Sequence, residues 1–376
     1  MNGSHPATPD SHPRDVRPAE QLLIEAAGPI VASRVLCTSL GRAQFAVAFS
    51  RRCPQAQVSC LFLDVQQANL ARAAASELTH RSDTDHAASR LTMLCQPDFP
   101  DGEVDLAALP CSYQGDGELT RDLLQAAFDR LTISGRLIAT TDNPRDQWLH
   151  QELRALFPKV TRRPSSGGVA YLATKTEPLR RRRNFECAYA FRDGSRLIRV
   201  VTRPGVFSHR HLDVGARALI ESLDVAAGSR VLEIGCGGGP VSLAAALRAP
   251  QVRVEALDSN PRAVECTRRG AQQNGIDAFE VNLDATADGV AAGQFDLVLA
   301  NPPYYSRFRI QEIFLRGAAR ALREDGVLQL VTKHPQDYPP HLEADFRDVT
   351  ITPVRHYWVV RAFRRASVTC SGKSRS

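Results

Sequence analysis

Two short stretches in the second half of this chain carry residue types that can do chemistry together. In the first, Asn301-Pro-Pro-Tyr304 follows the apolar run Leu297 to Ala300. Two prolines forbid further strand pairing and stiffen the turn. Pro302 also pushes Asn301 away from helical backbone angles. The Asn301 amide oxygen and the adjacent proline carbonyls are thereby held as acceptors beside the Tyr304 ring. Such a set suits a planar amine, whose hydrogens the acceptors take while the ring stacks on its face. Taken alone, the same residues also make a capped turn after a core strand.

The second stretch lies some sixty residues upstream, at Glu233-Ile-Gly-Cys-Gly-Gly-Gly239. Glycines between a strand and a helix let the backbone turn tightly and come close to a ligand, with helix amides facing it. Asp258 follows after the next strand, where a carboxylate can accept both hydroxyls of a ribose. A dinucleotide fingerprint would put its third glycine at 240, and Pro240 stands there. A Walker phosphate loop needs Gly-Lys-Ser/Thr, which this loop lacks. The glycine loop, the acidic position and Asn-Pro-Pro-Tyr in register point to one nucleoside-like ligand beside one amine.

The elements that must position these residues alternate. In the first half the pattern predicts strands near Ser33–Thr38, Val58–Leu63, Leu91–Leu94, Asp105–Leu109 and Arg136–Thr140. Helices are expected over Ala19–Ala27, Gly41–Arg52, Gln66–Leu78 and Leu119–Leu131, with a loop at Asp83–Ser89. In the second half it predicts strands near Ser229–Gly235, Val252–Leu257, Ala278–Leu283, from Asp296, and at Val327–Thr332. Helices are expected there over Asp213–Leu223, Val241–Arg248, Arg262–Asn274 and Gln311–Leu322. A tail pair, Val349–Thr352 with Tyr357–Ala362, reads as an antiparallel hairpin. Strands alternating with helices of this length predict an α/β architecture of doubly wound, mostly parallel sheets.

The two halves match each other. Arg34-Val-Leu36 answers Arg230-Val-Leu232, Val104-Asp-Leu106 answers Phe295-Asp-Leu297, and Ser134-Gly-Arg-Leu137 answers Asp325-Gly-Val-Leu328. The chemical positions do not match. Cys37-Thr-Ser-Leu-Gly-Arg-Ala43 keeps one glycine of the loop, and Pro110-Cys-Ser-Tyr113 has no amide. The first half therefore reads as a degenerate copy that keeps the core and has lost the chemistry. It is expected to fold, dock and hold substrate. The expected division is a disordered lead-in at 1–18, a degenerate domain at 19–175, a basic linker with a hairpin at 176–204, a catalytic domain at 205–368 and a basic tail at 369–376.

At 376 residues the chain is long for one core. No apolar stretch approaches the roughly 20 residues of a bilayer span. The lead-in lacks the apolar core of an export signal. Nine scattered cysteines with no Cys-x-x-Cys pair suggest reduced thiols in a cytoplasmic protein rather than disulfides or zinc. His209-Arg-His211, without a nearby cysteine or carboxylate cluster, reads as a loop, and no metal is expected. The net charge is +6, and Lys175 to Arg203 holds nine Lys/Arg against three acids, including Arg180, Arg181, Arg182 and Arg183. Basic stripes attract polyanions, nucleic acid above all, although a solvated linker gives the same composition.

From about Gly205 to Ala362 the sequence resembles class I S-adenosylmethionine-dependent methyltransferases of the amino-methylating type. The whole chain is similar to the bacterial small-subunit ribosomal RNA guanine-N2 methyltransferases, which pair a degenerate amino-terminal methyltransferase domain with an active one. Pro204-Gly-Val-Phe-Ser208 followed by Leu212-Asp-Val-Gly215 also resembles that family. The resemblance implies two tandem Rossmann-like methyltransferase domains with seven-stranded sheets. It implies S-adenosylmethionine as cofactor and ribosomal RNA or a ribosomal subunit as partner, and a monomer is expected. Asn301, Pro302 and Tyr304 would be catalytic. Glu233, Gly235, Cys236, Gly237, Gly239, Asp258, Asp284 and Asn301 would hold the cofactor, Asp284 toward the adenine amine. Phe207 and Asp213 would line a cofactor lid, and Pro303, Tyr305 and Arg180 to Arg183 would touch substrate. One departure stands out: Tyr304-Tyr305 replaces the expected Phe-His, which leaves the exact base open. The rival acceptors are large-subunit guanine, DNA adenine and a release-factor glutamine, and the rival class is a non-catalytic RNA-binding protein.

Overall fold

The computed structural model describes residues 16–79, 90–303 and 308–366, and the chain divides into two compact units, 1–185 and 186–376. The first unit runs α1 (Pro18–Ala27), β1 (Arg34–Thr38), α2 (Gln44–Arg52), β2 (Gln57–Phe62), α3 (Val65–Thr79), β3 (Leu91–Cys95) and β4 (Val104–Cys111). It continues through α4 (Gly117–Arg130), β5 (Leu131–Thr141), α5 (Trp148–Leu156), β6 (Val160–Ser165) and β7 (Gly168–Thr174). Its seven strands lie in the order β3-β2-β1-β4-β5-β7-β6. The first five are parallel, and β7 and β6 join antiparallel. Parallel strands covered on both faces bury successive residues, whichever way they point. Accordingly α1, α2 and α3 pack one apolar cluster against one face, and α4 and α5 pack another against the opposite face.

The second unit opens with a hairpin, β8 (Cys187–Asp193) and β9 (Arg196–Thr202). It continues α6 (Val214–Glu221), β10 (Arg230–Ile234), α7 (Pro240–Arg248), β11 (Arg253–Asp258), α8 (Pro261–Gln273), β12 (Phe279–Leu283) and β13 (Phe295–Ala300). It ends with α9 (Arg309–Ala321), β14 (Leu322–Thr332), a short 3-10 turn, α10 (Pro339–Leu342), β15 (Phe346–Val354) and β16 (Tyr357–Arg364). The order β12-β11-β10-β13-β14-β16-β15 repeats that of the first unit strand for strand.

The repeat extends to single bonds. Asp105 Oδ2 accepts the Arg34 amide at 2.9 Å, and Asp296 Oδ2 accepts the Arg230 amide at 2.7 Å. Both units carry a register shift where the fourth strand meets the fifth, with Ser134 and Asp325 in left-handed conformation. Those shifts start β5 at Leu131 and β14 at Leu322, earlier than the apolar pattern suggests.

The hairpin expected inside a linker packs instead into the second unit. Asn274, just past α8, exchanges hydrogen bonds with the Arg199 backbone, and Gly238 abuts Thr202 and Val200. Two first-unit features are absent from the sequence reading, α5 and the β6–β7 pair. The residues of β6, Val-Thr-Arg-Arg-Pro-Ser, are nearly all exposed and show no apolar alternation. Among the described residues no helix is long and apolar enough to cross a membrane. Residues 1–15, the loop expected at 83–89 and the tail from 369 lie outside the described residues.

Candidate active site

The glycine loop joins β10 to α7 at the carboxyl edge of the sheet, beside the point where strand order reverses between β10 and β13. Its path is held from three sides. Leu257 O accepts the Gly235 and Cys236 amides, each at 2.9 Å. Asp258 Oδ2 accepts the Gly237 amide at 2.8 Å, and Thr267 Oγ1 donates to Gly237 O at 2.9 Å. Gly239 has φ +80°, and a Cβ there would lie 2.7 Å from Thr267 Cγ2. At Gly237, with φ +56°, an added Cβ would meet only Phe207, at 3.7 Å. That side of the loop therefore opens toward Phe207, which is 65% exposed. Glu233, Gly235, Gly237, Asp213, Phe207 and Asn301 all line this one narrow cleft. A backbone cradle with a carboxylate at the next strand's end is the donor and acceptor set that an amino-acid-bearing nucleoside requires, so these residues fit such a cofactor.

The acidic residues divide the work. Asp258 ends β11, half-buried, and its Oδ1 takes the Asn260 amide at 2.8 Å while Oδ2 holds Gly237. Glu233 is 2% exposed, and its Oε2 accepts both the amide and the hydroxyl of Ser242. Burial pushes its carboxyl up to about 8, against the pull of the Ser242 donors. Asp284 organises its own loop: Oδ1 takes the Thr286 and Ala287 amides, and Oδ2 takes Gly289 N at 3.1 Å. The Cys236 thiol packs with Ala256, Val264 and Val281, and burial raises its pKa well above the usual thiol value.

Asn301 follows directly on β13. Its Nδ2 donates to Asp213 Oδ2 at 2.9 Å. Asp213 is the N-cap of α6, accepting the Ala216 amide through the same oxygen at 2.9 Å. Pro303 O accepts from Gln311 Nε2 at 2.6 Å, which ties the proline corner to α9. Past Gln311 lies a second cleft of about 450 Å³, floored by Thr332 and walled by Phe308, His334, Tyr338 and His341. There the Phe308 and His341 rings stack with centroids 4.1 Å apart. Tyr304 and Tyr305 lie outside the described residues.

The basic run is exposed, with Arg180 paired to Glu177 at 3.3 Å and Arg182 to Asp129 at 3.0 Å. Lys175, counted with that run in the sequence, is instead buried, its Nζ donating to Phe128 O and Leu131 O. His209 Nδ1 is hydrogen-bonded with Thr202 Oγ1 at 2.8 Å. Sequence reasoning missed Asn260, whose Nδ2 donates to Gly205 O, and the buried Arg262, which donates to Pro204 O. Together they pin the segment before Phe207. The signal was present: Asn260-Pro261 is an N-cap followed by proline at the first helical position.

Residues 197–361 match the methyltransferase small domain family. Over 153 residues the chain is 33% identical to ribosomal RNA small subunit methyltransferase C of Klebsiella pneumoniae and 34% to that of Escherichia coli. These matches take in 39% of this chain, and 44% and 43% of the relatives, so the chain spans under half the length of the curated relatives it matches. The solved Thermus thermophilus 16S rRNA N2 G1207 methyltransferase, in complex with AdoMet and guanosine, superposes with a TM-score of 0.75. That likeness covers 96% of this chain and 98% of the other at 22% identity, and so speaks for the fold. Residues 197–361 thus resemble a methyltransferase small domain, and the chain as a whole has two tandem domains of the class I S-adenosylmethionine-dependent methyltransferase fold.

Proposed function

We propose that the second unit transfers a methyl group from S-adenosylmethionine to the exocyclic N2 amine of a guanine in small-subunit ribosomal RNA. The observation that carries this reading is that Asn301 and the glycine loop open onto one cleft. The curated relatives named as small-subunit ribosomal RNA methyltransferases support the substrate.

When bound, S-adenosylmethionine supplies an already electrophilic sulfonium methyl, so the protein's part is placement. Gly235, Gly237 and Gly239 hold the amino-acid end, and Asp258 accepts the ribose hydroxyls. Asp284 Oδ2 offers an acceptor to the adenine amine. The Asn301 side-chain oxygen and the Pro302 carbonyl accept the two N–H bonds of the guanine amine. That contact draws its lone pair out of conjugation and stabilises the positive charge that develops on nitrogen. The proton leaves to solvent afterwards, since the amine turns acidic only as it alkylates. Tyr304 stacks on the base, a contact of about 1–3 kcal/mol, with Pro303 and Tyr305 beside it. A paired target must first be flipped out of its helix. Arg180 to Arg183 meet RNA phosphates, and the first unit holds RNA without catalysing.

The test is incubation with a labelled methyl donor and, separately, undermethylated small-subunit RNA, large-subunit RNA, DNA and a release factor. Label recovered as N2-methylguanosine from small-subunit RNA is the expected result. Label confined to large-subunit RNA, adenine or glutamine moves the acceptor, and none in any arm removes the activity.

A further inference from the structure

We infer that Asp213 sets the orientation of the Asn301 amide, and thereby makes Asn301 an acceptor toward the substrate amine. This inference rests on the proposed methylation at Asn301 and concerns a positioning residue, which acts through Asn301 without touching substrate.

The geometry is short and closed. One carboxylate oxygen, Asp213 Oδ2, receives both the Asn301 Nδ2 donor and the Ala216 amide, each at 2.9 Å. An ionised carboxylate only accepts, so it selects the nitrogen end of a facing amide. That leaves Asn301 Oδ1 as the accepting end of the amide. The close approach needs the glycine between them in α6. A Cβ on Gly215 would lie 2.9 Å from Asp213 Oδ2, 3.1 Å from Asn301 Oδ1 and 3.1 Å from the Tyr357 ring. Asp213 and Asn301 both line the cleft beside the glycine loop. An amine offers two hydrogens. An Asn301 turned the wrong way would meet them with two more, replacing attraction by a donor–donor clash.

Asp213→Asn separates orientation from helix capping. Asparagine caps helices about as well as aspartate, so its side-chain oxygen keeps the Ala216 amide. The NH2 group that it brings then faces Asn301, which must rotate its own oxygen inward and its NH2 toward the substrate. We expect D213N to lower kcat about 100-fold, the loss of one preorganised group. Its unfolding midpoint and its affinity for S-adenosylhomocysteine, read by calorimetry, stay close to the parent. The reciprocal swap, D213N with N301D, lets the new amide donate to a carboxylate at 301 whose second oxygen faces the substrate. It should recover at least about tenfold over D213N. The inference is overturned if D213N keeps turnover within about threefold of the parent, or if the swap does no better than D213N. It is also overturned if the midpoint and S-adenosylhomocysteine affinity collapse together with turnover, which would leave Asp213 a cap and nothing more. Failure of the parent reading looks different: Asn301→Ala would then keep its activity whatever stands at 213.

Discussion

The two units share a sheet order, a bulge and an aspartate that receives the first strand's amide, yet in the second a cleft lies beside the glycine loop, while in the first a buried carboxylate stands at the corresponding loop. The difference lies in what fills the space above the first strand. In the second unit, Ala216, the third residue of α6, lines the cleft and leaves it open. In the first unit the third residue of α1 is Glu20, fully buried, accepting from Ser39 Oγ at 2.8 Å and from Phe45 N at 3.2 Å. A carboxylate of the chain itself sits at the amino end of α2, where a bound anion would otherwise meet the helix amides. The loop still takes the left-handed turn before its helix, but with Ala43 at φ 59° where the second unit has Gly239 at φ +80°. In the first unit the chain's own carboxylate thus satisfies an amide at the start of the helix.

The comparison is broken most sharply at the proline corner. Asn301→Ala should cut turnover by about 100-fold, the effect of removing one preorganised group, while S-adenosylhomocysteine binding persists. Tyr113, the first-unit counterpart of Tyr304, is 66% exposed. Tyr113→Ala should leave turnover within about twofold, since no reacting group depends on it. Methyl transfer to RNA under single-turnover conditions reads both variants. A large loss from Tyr113→Ala, or none from Asn301→Ala, would erase the distinction between the units.

The glycine loops give the next largest contrast. Gly237→Val places a branched side chain on left-handed backbone and grows it toward Phe207, across the open side of the cleft. Its counterpart, Gly41→Val, would meet the far end of the Gln44 side chain, which can swing away. Titration with S-adenosylhomocysteine should show Gly237→Val weakening binding at least about tenfold and Gly41→Val hardly at all. Equal losses from the two would mean that the first unit still takes part in cofactor binding.

How far these features could be read in advance follows from the range of the interactions. The duplication, the parallel sheets and the glycine loop were legible because each is written in a local period or a short motif, as at Arg34-Val-Leu36 and Arg230-Val-Leu232. The β6 strand was not, because an exposed edge strand needs no apolar face. Glu20 looked like any acidic residue in a helix's first turn; only its packing against Ser39 and Phe45 reveals the plug. The Asp213–Asn301 bond joins residues 88 apart, and no spacing rule reaches that distance. Asp284 was legible as a carboxylate at a strand end. Its hold on its own loop depends on the turn taken by Thr286 to Gly289, which composition does not encode.

The subtlest contrast is between the two buried carboxylates themselves. Burial raises the pKa of both, Glu233 to about 8 and Glu20 upward as well. Folding therefore favours the protonated form of each. The stability that each contributes is fully present below the unfolded value near 4.5 and is lost as pH rises through the folded value. For Glu233 that window reaches about 8. Glu20 receives more backbone donors, from Phe45, Leu40 and Gln44, which oppose its desolvation. Between pH 5 and 9 the cofactor-free protein should thus lose on the order of 5 °C in its unfolding midpoint through Glu233. Glu233→Gln, which still accepts from Ser242 but cannot ionise, should flatten that slope. Glu20→Gln should flatten it less, because donors already in place stabilise the charge in the first unit. Scanning calorimetry of the three proteins across that range decides the matter. If Glu20→Gln flattens the slope more than Glu233→Gln, the first unit is the poorer host for a buried charge, and the account of Glu20 as a carboxylate satisfied by its donors fails.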